Sequence, residues 1–435
     1  MGMGMESFAG TGIRETGRSA LDPATSAANR LTAAWATRIA DGRSTVFSGA
    51  GVWPLLGLIA LGAAEPGRGE LAAAYGLDPA QAGPAVRRFI DLFDRAPALR
   101  AAVGLWYRES LPILDSWLDQ LPPATRGRLT GDLAADQSRL DAWAREHTDG
   151  MLDEMPVALD HLTMLVLASA IMVETTWLRE FTTSRNAAQA GPWASAGPFN
   201  SLIQAVQPES LRVLAGGPGI GQVTSVSVTG DNDIDVVLFL GEPHASAGQV
   251  LNAGLAGLGE DSPSARKTAA EPAGKPGWRG GKSAPALSGP GITVQTFQST
   301  TPDPLYQLTL PSFTIKAEHD LLAHAKLFGL ETVSRTGFRH FPGIAAADLH
   351  VSSAKQDAMA EFSATGFRAA AVTAFAMSVG SAAPPQIHKT LRYDIVLDRP
   401  FGFAAVHRPT GLAVVAGWVA DLQFPGGPYG MPAYG

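Results

Sequence analysis

The stretch LTMLVLASAIMVETTW, residues 162–177, places the strongest constraint on how this chain can fold. It is almost entirely apolar, with one charged residue and with β-branched residues towards its end, which is typical of a strand. Its apolar positions do not alternate with polar ones, so we predict a central strand buried on both faces. A strand of this kind must be covered on each side, which requires a layered fold.

The other predicted elements mix helices and strands. Helices are predicted at residues 27–40, 53–63, 140–147 and 320–330, with Pro54 in the first turn of the second. Strands are predicted at residues 99–106, 306–315, 395–406 and 412–420, and on both sides of the turn at 229–233 within 223–240. Strands and helices do not alternate regularly, which favours an α+β fold over a doubly wound sheet.

Composition narrows the class of protein. The chain has 435 residues, 17% of them charged, and a net charge of −7, which argues against nucleic-acid and anionic-membrane partners. It has no cysteine, so disulfides, thiolate chemistry and cysteine-ligated metals are excluded. The N-terminus lacks the apolar run of a signal peptide, so we expect a cytoplasmic location or secretion by a non-standard route.

The domain organisation follows from low-complexity segments at three places. We expect a flexible N-terminal tail at 1–25, one domain at 26–425 and a flexible C-terminal tail at 426–435. Within the domain, residues 259–291 are rich in Ser, Ala, Pro, Gly and Lys, which predicts a surface insertion without stable structure.

The segments that resemble cofactor-binding or metal-binding motifs each lack a required residue or spacing. GGKS at 280–283 lacks the earlier glycine of a phosphate loop, and GGPGIGQ at 216–222 has Gln222 where a dinucleotide motif needs glycine. His319 and His324 are five residues apart, which is a poor spacing for a metal on one helix face. Trp143 and Trp177 are interpreted as core residues rather than a stacking platform. We therefore predict no metal, no cofactor and no enzyme activity.

The segment EFSATGFRAAAVTAFAMSVGSAAPPQ, residues 361–386, poses a different question. After Arg368 it has no charged residue, and its prolines, which cannot donate to a ladder, come only at the end. Alternate residues from Phe367 to Met377 form one face that is compatible with burial in a sheet, and the other face is small. The segment therefore meets the requirements of a strand, although it also fits a flexible alanine-rich loop.

Four other segments together resemble the serpin family. They are SGAGVWPLLGLIALGAA at 48–64, LDAWAREHTDGML at 140–152, LASAIMVETTWLREF at 167–181 and VLDRPFGF at 396–403. The resemblance implies an α+β serpin fold with three β-sheets, eight or nine helices and an exposed reactive-centre loop, in a monomer. It also implies a suicide-substrate inhibitor of serine proteases, whose cleaved loop enters the main sheet and traps the protease. The alternative is a non-inhibitory serpin with a binding or chaperone-like role, whose loop is merely cleaved.

Under this resemblance Gly366 matches the family's hinge glycine, while Phe367 replaces a small hydroxyl residue. We expect that bulky ring to slow insertion. The implied loop hinge comprises Gly366, Phe367, Arg368, Ala369, Ala370, Ala371, Val372 and Thr373. The implied sheet-opening region comprises Gly51, Ser169, Trp177 and Gln356, of which the first, second and fourth stand where the family usually has Ser, Asn and His.

The reactive bond is predicted at Gly380–Ser381 by counting from the hinge glycine. Counting back from the proline pair gives Ser381–Ala382 instead, and a preference for a bulky apolar residue before the cut gives Met377–Ser378. No basic residue lies between Met377 and Gln386, so we expect a protease of elastase, subtilisin or chymotrypsin type rather than a trypsin-like one.

Overall fold

The computed structural model describes residues 22–39, 42–96, 98–121, 126–150, 152–186, 191–195, 199–259, 287–367 and 387–422. Within these ranges the α-helices are α1 (Pro23–Ala36), α2 (Gly49–Gly62), α3 (Gly67–Tyr75), α4 (Ala82–Arg95), α5 (Asp115–Leu118), α6 (Leu133–His147), α7 (Ala247–Gly259) and α8 (Ala325–Phe328). The first nine strands are β1 (Thr45–Phe47), β2 (Leu99–Arg108), β3 (Arg126–Leu129), β4 (Leu165–Val173), β5 (Thr175–Thr176), β6 (Thr182–Asn186), β7 (Phe199–Ala205), β8 (Leu211–Ala215) and β9 (Gln222–Thr229). The others are β10 (Ile234–Gly241), β11 (Ile292–Ser299), β12 (Leu305–Pro311), β13 (Phe313–Asp320), β14 (Lys355–Phe362), β15 (Gly366–Phe367), β16 (His388–Val396), β17 (Phe401–His407) and β18 (Leu412–Val419).

The strands of the described residues form four hydrogen-bonded groups, two of which belong to one layer, so the architecture is the α+β fold that the resemblance implies. One is six-stranded in the order β1-β18-β17-β10-β9-β8, and another is five-stranded in the order β11-β16-β12-β7-β6. The remaining groups, β3-β2-β4 and β13-β14-β15-β5, are two parts of one layer, because β5 follows β4 after the single residue Glu174. We call this layer the main sheet; it is parted between β4 and β14.

Strand β4 lies at the centre of the main sheet, as the apolar run predicts. It pairs antiparallel with β2 from Leu99↔Val173 to Tyr107↔Leu165. On one face Val166 and Ala168 pack with residues of α6, and on the other Leu167 and Ile171 pack against the main core. The strand is therefore covered on both faces, but it ends at Val173 instead of continuing to Trp177.

Helix α2 is buried along most of its length and supports the sheet opening from below. Ser48 caps it by accepting a hydrogen bond from the Gly51 N–H, so the helix begins at Gly49, earlier than predicted. Pro54 is consequently inside the helix and not in its first turn, where it removes one helix hydrogen bond.

Other predicted boundaries are also corrected. Helix α1 begins and ends about four residues early, because Asp22 caps it at Pro23. Residues 306–315 form two strands in different sheets, since the chain leaves β12 at Pro311 and enters β13 at Phe313. Residues 320–330 contain a 3₁₀ turn followed by the short helix α8, and residues 395–406 belong to the separate strands β16 and β17.

The structure describes two of the three segments that were considered above as cofactor or metal motifs. Residues 216–222 form a turn closed by a 2.7 Å hydrogen bond from Gly216 N–H to the Gly221 carbonyl. His319 is directed at the Val46 carbonyl, 2.9 Å from its Nε2, and burial lowers the pKa of this imidazole. Residues 280–283 lie outside the described residues. In the ranges described above, no helix has the length and apolar character to cross a membrane, and no cluster of His, Asp or Glu could hold a metal.

Candidate functional site

The hinge glycine and its neighbour form β15, which lies inside the upper part of the main sheet. Phe367 is opposite Phe362 of β14 on one side and opposite Thr175 of β5 on the other, and Gly366 is opposite Thr176. A tight turn leads into this position, because Ser363 N–H donates to the Gly366 carbonyl at 2.9 Å. Strand β15, which leads directly into residues 368–386, therefore already lies between β5 and β14.

The turn before β15 is held in place by backbone and ring N–H groups from the opposite side of the opening. Trp177 N–H donates to the Thr365 carbonyl at 3.0 Å, and Phe181 N–H donates to the Ala364 carbonyl at 2.9 Å. The Trp177 indole N–H donates to the Ser363 carbonyl at 3.0 Å. Five consecutive residues, 363–367, are thus bonded to β5 and the chain that follows it.

The Phe367 side chain is 2% exposed and enters an aromatic cluster under the sheet. Its ring centroid is 6.2 Å from that of Phe403. Phe362, its partner in the ladder, has its ring 4.7 Å from Trp177 and 5.4 Å from Phe313. The ring of Phe367 is therefore already accommodated in this structure, and the expectation that it slows entry of the following residues stays a prediction.

Below the hinge, the two parts of the main sheet are joined through side chains. Ser48 N–H donates to Gln356 Oε1 at 2.8 Å, and Gln356 Nε2 donates to the Ser48 carbonyl at 2.9 Å. On the β4 side, the Ser169 hydroxyl donates to the Gly51 carbonyl at 2.5 Å. Among the described residues, β4 and β14 share no ladder, so these bonds to the start of α2 link the two edges of the opening.

A small cavity of about 40 Å³ lies at this opening. It is lined by Ser48 and Gly51 of the α2 start, Thr148 and Leu152 after α6, Ser169 and Ile171 of β4, 356–359 of β14 and Val415 of β18. One carboxylate oxygen of Asp357, Oδ1, is buried and has no hydrogen-bond partner among the residues that the structure describes. Burial, reinforced by the nearby Glu318 carboxylate, raises the pKa of Asp357, so its ionised form is disfavoured in the folded chain.

Helix α6 packs on the face of β4 that carries Val166 and Ala168, beside the opening, and Asp136 fixes the start of this helix. The Asp136 carboxylate accepts hydrogen bonds from Thr130 N–H at 3.0 Å and Gly131 N–H at 2.9 Å, and it also pairs with Arg139. Although burial acts in the opposite direction, these bonds lower the pKa of Asp136 to about 2. At the other end, Thr148 is buried and lines the cavity.

The predicted site residues divide into three groups. Gly51, Ser169 and Gln356 meet around the cavity, whereas Trp177 lies at the hinge, 5% exposed, with Gly366 and Phe367. Trp143, the other predicted core residue, is half-buried against Trp106 at 4.9 Å. The predicted hinge residues from Arg368 to Thr373, and the candidate bonds Gly380–Ser381, Ser381–Ala382 and Met377–Ser378, lie outside the described residues.

Several residues at the site were not predicted from the sequence. Ser48 and Asp357 complete the opening, and Thr175, Thr176 and Ser363 hold the hinge. Asp357 has a recognisable signal, because it is a carboxylate directly after Gln356, which the resemblance assigns to the sheet opening. The role of Ser363 depends on a turn that the local sequence does not specify.

Comparison with known proteins gives one consistent result. The sequence model of the family described as Serpin (serine protease inhibitor) matches residues 25–190 and 291–422, more than half of the chain. Glia-derived nexin of Rattus norvegicus is 33% identical over 128 residues, 29% of this chain, and the putative serpin-Z6C of Oryza sativa subsp. japonica is 27% identical over 122 residues. These matches span about a third of the length of those curated relatives.

Solved structures extend the likeness to nearly the whole fold. Serpin48, a highly specific serpin of the insect Tenebrio molitor, superimposes with a TM-score of 0.62 at 17% identity, covering 95% of this chain and 100% of that one. Native protease nexin-1 with heparin gives a TM-score of 0.59 at 18% identity, covering 92% of this chain and 97% of that one. These two structures support the fold, and the family match supports the relationship. The chain belongs to the serpin family.

Proposed function

We propose that this serpin inhibits serine endopeptidases as a suicide substrate, with residues 368–386 as its reactive segment. A protease would attack one peptide bond of this segment and form an ester with the new carboxyl end. The cut segment would then enter the main sheet as an additional strand before water hydrolyses the ester. The observation that supports this most strongly is the position of β15, which leads directly into the segment and lies between β5 and β14.

The register of β15 supports the idea that the segment fits the opening. Phe367 is opposite Phe362 and Thr175. If both registers continue, residue 374 is expected opposite Lys355 and residue 377 opposite Leu165. These are the first residues of β14 and β4. The segment is therefore long enough to pair with both strands along their full length.

The chemistry of the segment supports the same conclusion. The Phe367 ring faces the core, so alternation is expected to place Ala369, Ala371 and Thr373 on that face after insertion. These residues are small and uncharged, and burying them leaves no unpaired charge. Arg368 falls on the opposite face, at the entry to the sheet.

The partner we propose is a protease of elastase, subtilisin or chymotrypsin type. Gly380–Ser381 is the preferred reactive bond, with Ser381–Ala382 and Met377–Ser378 as alternatives. The absence of basic residues between Met377 and Gln386 supports this choice over a trypsin-like enzyme.

The second candidate function is a non-inhibitory serpin that binds a partner and whose segment is simply cleaved. It is favoured by the bonds that tie Ala364 and Thr365 to Phe181 and Trp177. A hinge anchored in this way could hold the segment too firmly for rapid entry. Inhibition requires the cut segment to insert faster than water hydrolyses the ester. The two candidate functions therefore differ in the rate of insertion relative to the rate of hydrolysis.

The experiment is to mix the full chain with subtilisin, elastase or chymotrypsin and analyse the products on a denaturing gel and by mass spectrometry. The proposed function predicts a covalent complex of protease and serpin that survives denaturation. The activity of the protease should fall in proportion to the amount of complex formed. Complete cleavage between Met377 and Ala382 with full protease activity would contradict it and favour the second candidate.

A pair of variants makes the test specific to insertion. Ala371→Arg puts a charge on the face expected to be buried, so it should abolish the complex while cleavage continues. Ala370→Arg, on the opposite face and one residue away, is the control and should retain more of the complex. Equal complex formation in both variants would contradict insertion as the trapping step.

A further inference from the structure

Strand β11 forms one outer edge of the five-stranded sheet β11-β16-β12-β7-β6. It pairs antiparallel with β16 over eight residues, from Ile292↔Ile395 to Ser299↔His388, in an unbroken register. On its other side, no strand in the described part of the chain pairs with it. Such an edge presents a row of N–H and C=O groups with which another chain can pair.

β11 lacks the features that usually prevent pairing at an edge. Proteins protect edge strands by keeping them short, or by placing charged residues, proline or a bulge in them. Apart from the strands beside the opening of the main sheet, the other edge strands of the described residues are β1, β3, β6, β8 and β13. β1 has three residues, and each of the others contains Arg or Lys. β11 has eight residues and no proline, and no charged residue lies between Lys282 and Asp303.

One hydrogen bond identifies which residues of β11 direct their backbone groups towards β16. Val396 N–H donates to the Gly291 carbonyl at 2.9 Å, and these two residues continue the register of the ladder by one position. They therefore form a hydrogen-bonded pair. Such pairs alternate with non-hydrogen-bonded pairs along an antiparallel ladder. The odd-numbered residues of β11 consequently bond to β16, and the even-numbered residues direct their N–H and C=O groups outwards.

Three of these even-numbered residues have both backbone groups available to a partner strand. The Ile292 N–H is already used, because it donates to the Gly289 carbonyl at 3.1 Å. The outward N–H and C=O groups of Val294, Thr296 and Gln298 have no partner among the residues that the structure describes. The side chains of these three residues are exposed, so their backbone groups are open to approach from outside.

A second copy of β11 is a partner that pairs with every one of these groups. If a two-fold axis perpendicular to the sheet passes through Thr296, this residue lies opposite Thr296 of the second copy, and Val294 lies opposite Gln298. All three are then in hydrogen-bonded pairs, which use both the N–H and the C=O group. An axis at Gln295 would place Gln298 opposite Ile292, whose N–H is already bonded, and would leave the Gln298 carbonyl without a partner. The backbone groups therefore favour the axis at Thr296.

The side chains of β11 also suit this pairing. Thr296 meets its own copy and Thr293 meets Ser299, and hydroxyl pairs of this kind stabilise antiparallel strands. No like charges face each other across the two strands, whereas the net charge of −7 on each copy opposes association elsewhere on the surface. Two-fold pairing is also the commonest arrangement of identical chains. The uncharged edge is therefore the place where two copies meet with the least electrostatic repulsion.

We propose that two copies of this chain associate through β11, with Thr296 on the two-fold axis, so that their five-stranded sheets join into one continuous sheet. A single pair of strands is a small interface, so the dimer forms and dissociates with concentration. The monomer implied by the family resemblance is then the form present in dilute solution. This inference depends neither on protease inhibition nor on residues 368–386.

The first test measures the mass of the full chain by sedimentation equilibrium from about 1 μM to about 200 μM, the range expected for a weak interface. The mass should rise towards that of a dimer, and amide exchange at Val294, Thr296 and Gln298 should slow as it does. A mass that stays that of a monomer would overturn the proposal. Protection of the same three amides in the dilute monomer would also overturn it, because the edge would then be covered within one chain.

Charge variants test the position of the axis. Thr296→Lys places two lysines directly opposite each other in the dimer, so we expect association to weaken by about fivefold or more. Thr296→Glu should weaken it in the same way, and an equimolar mixture of the two variants should recover a dimer of one chain of each kind. Thr183→Lys is the control, because it adds the same charge at an exposed position of β6, the other edge of the sheet. A dimer that Thr296→Lys leaves unchanged would contradict the proposal.

A cross-link tests the same contact without adding charge. The chain has no cysteine, so Thr296→Cys has a single thiol, and the two thiols of a dimer lie opposite each other at a spacing that a disulfide spans. Oxidation should give a covalent dimer with Thr296→Cys and much less with the control Thr183→Cys. Equal cross-linking of the two variants, or none at a concentration where the wild-type chain is dimeric, would overturn the assignment of the interface to β11.

Discussion

Phe367 lies directly opposite Phe362 in the β14–β15 ladder, and both side chains are buried under the main sheet. If the segment inserts as proposed, its first residue is already in register with β14 before any cleavage. In this account β15 is the first part of the inserted strand, and insertion extends it into the gap between β4 and β14. The edges of this gap are both hydrogen-bonded to the start of α2.

Phe367→Thr tests how much the buried Phe367 ring contributes to stability and to insertion. The substitution removes a buried ring, so we expect the free energy of unfolding of the intact chain to fall by about 3 kcal/mol. Because the strand start is then less firmly held, the fraction of protease trapped should decrease relative to the fraction of serpin cleaved. Phe338→Thr is the control, since Phe338 is 65% exposed. A higher trapped fraction in Phe367→Thr would show that the ring hinders insertion.

Gly51→Ser tests the sheet opening. A Cβ at Gly51 would be 3.2 Å from Gln356 Nε2, a flexible group, and 3.5 Å from Ser169 Oγ. We expect a gain in unfolding free energy of about 0.5 kcal/mol from helix propensity, and slower insertion because the hydroxyl can bridge the opening. Gly57→Ser is the control and should destabilise, because its Cβ would be 2.7 Å from the Tyr75 ring. A faster loss of the uninserted form in Gly51→Ser would contradict this interpretation.

Asp357→Asn tests the carboxylate at the cavity. Because the folded-state pKa of Asp357 is raised by burial, its ionised form destabilises the fold at neutral pH, and this penalty disappears as the pH falls through the raised pKa. The variant should therefore unfold at a higher temperature than wild type at pH 7, with a smaller difference at pH 4. Differential scanning calorimetry at both pH values measures this. A variant less stable than wild type at pH 7 would show that the charge has a partner.

Asp136→Asn tests how the start of α6 is fixed beside β4. The pKa of Asp136 is lowered to about 2 from 3.8, so its contribution is complete at neutral pH and is lost as the pH falls from about 4 to 2. The variant should lose about 1–3 kcal/mol of unfolding free energy at pH 7. Asp132→Asn is the control, because asparagine caps a helix as well as aspartate does. Equal effects of the two variants would argue against a special role for Asp136.

The sequence predicted the elements whose signals are local. The apolar run at 162–177 identified the central strand, and the alternation at 223–240 identified β9 and β10, because burial pattern and turn residues agree there. The boundaries were wrong where a cap or a change of sheet decided them, as at Ser48 and between Pro311 and Phe313. Helix caps and changes of sheet depend on tertiary contacts with residues that are distant in the sequence.

The same distinction applies to the site. The resemblance identified Gly51, Ser169 and Gln356, which do meet at one cavity. It did not predict that Phe367 is already buried, because that position depends on pockets formed by Phe403 and Phe362, which are distant or on another strand. Nor did composition predict the pairing of β11 with β16, since the two strands are about a hundred residues apart and neither has a pattern that selects the other.

The most direct test of strand insertion is amide hydrogen exchange of β4 and β14 before and after cleavage of the reactive segment. In the intact chain the facing edges of these strands share no ladder within the described residues, so their gap-side amides should exchange readily below the hinge. After cleavage between Met377 and Ala382, the account predicts strong new protection along Leu165–Val173 and Lys355–Phe362, with the cut segment protected as well. Unchanged exchange in both strands after complete cleavage would contradict it.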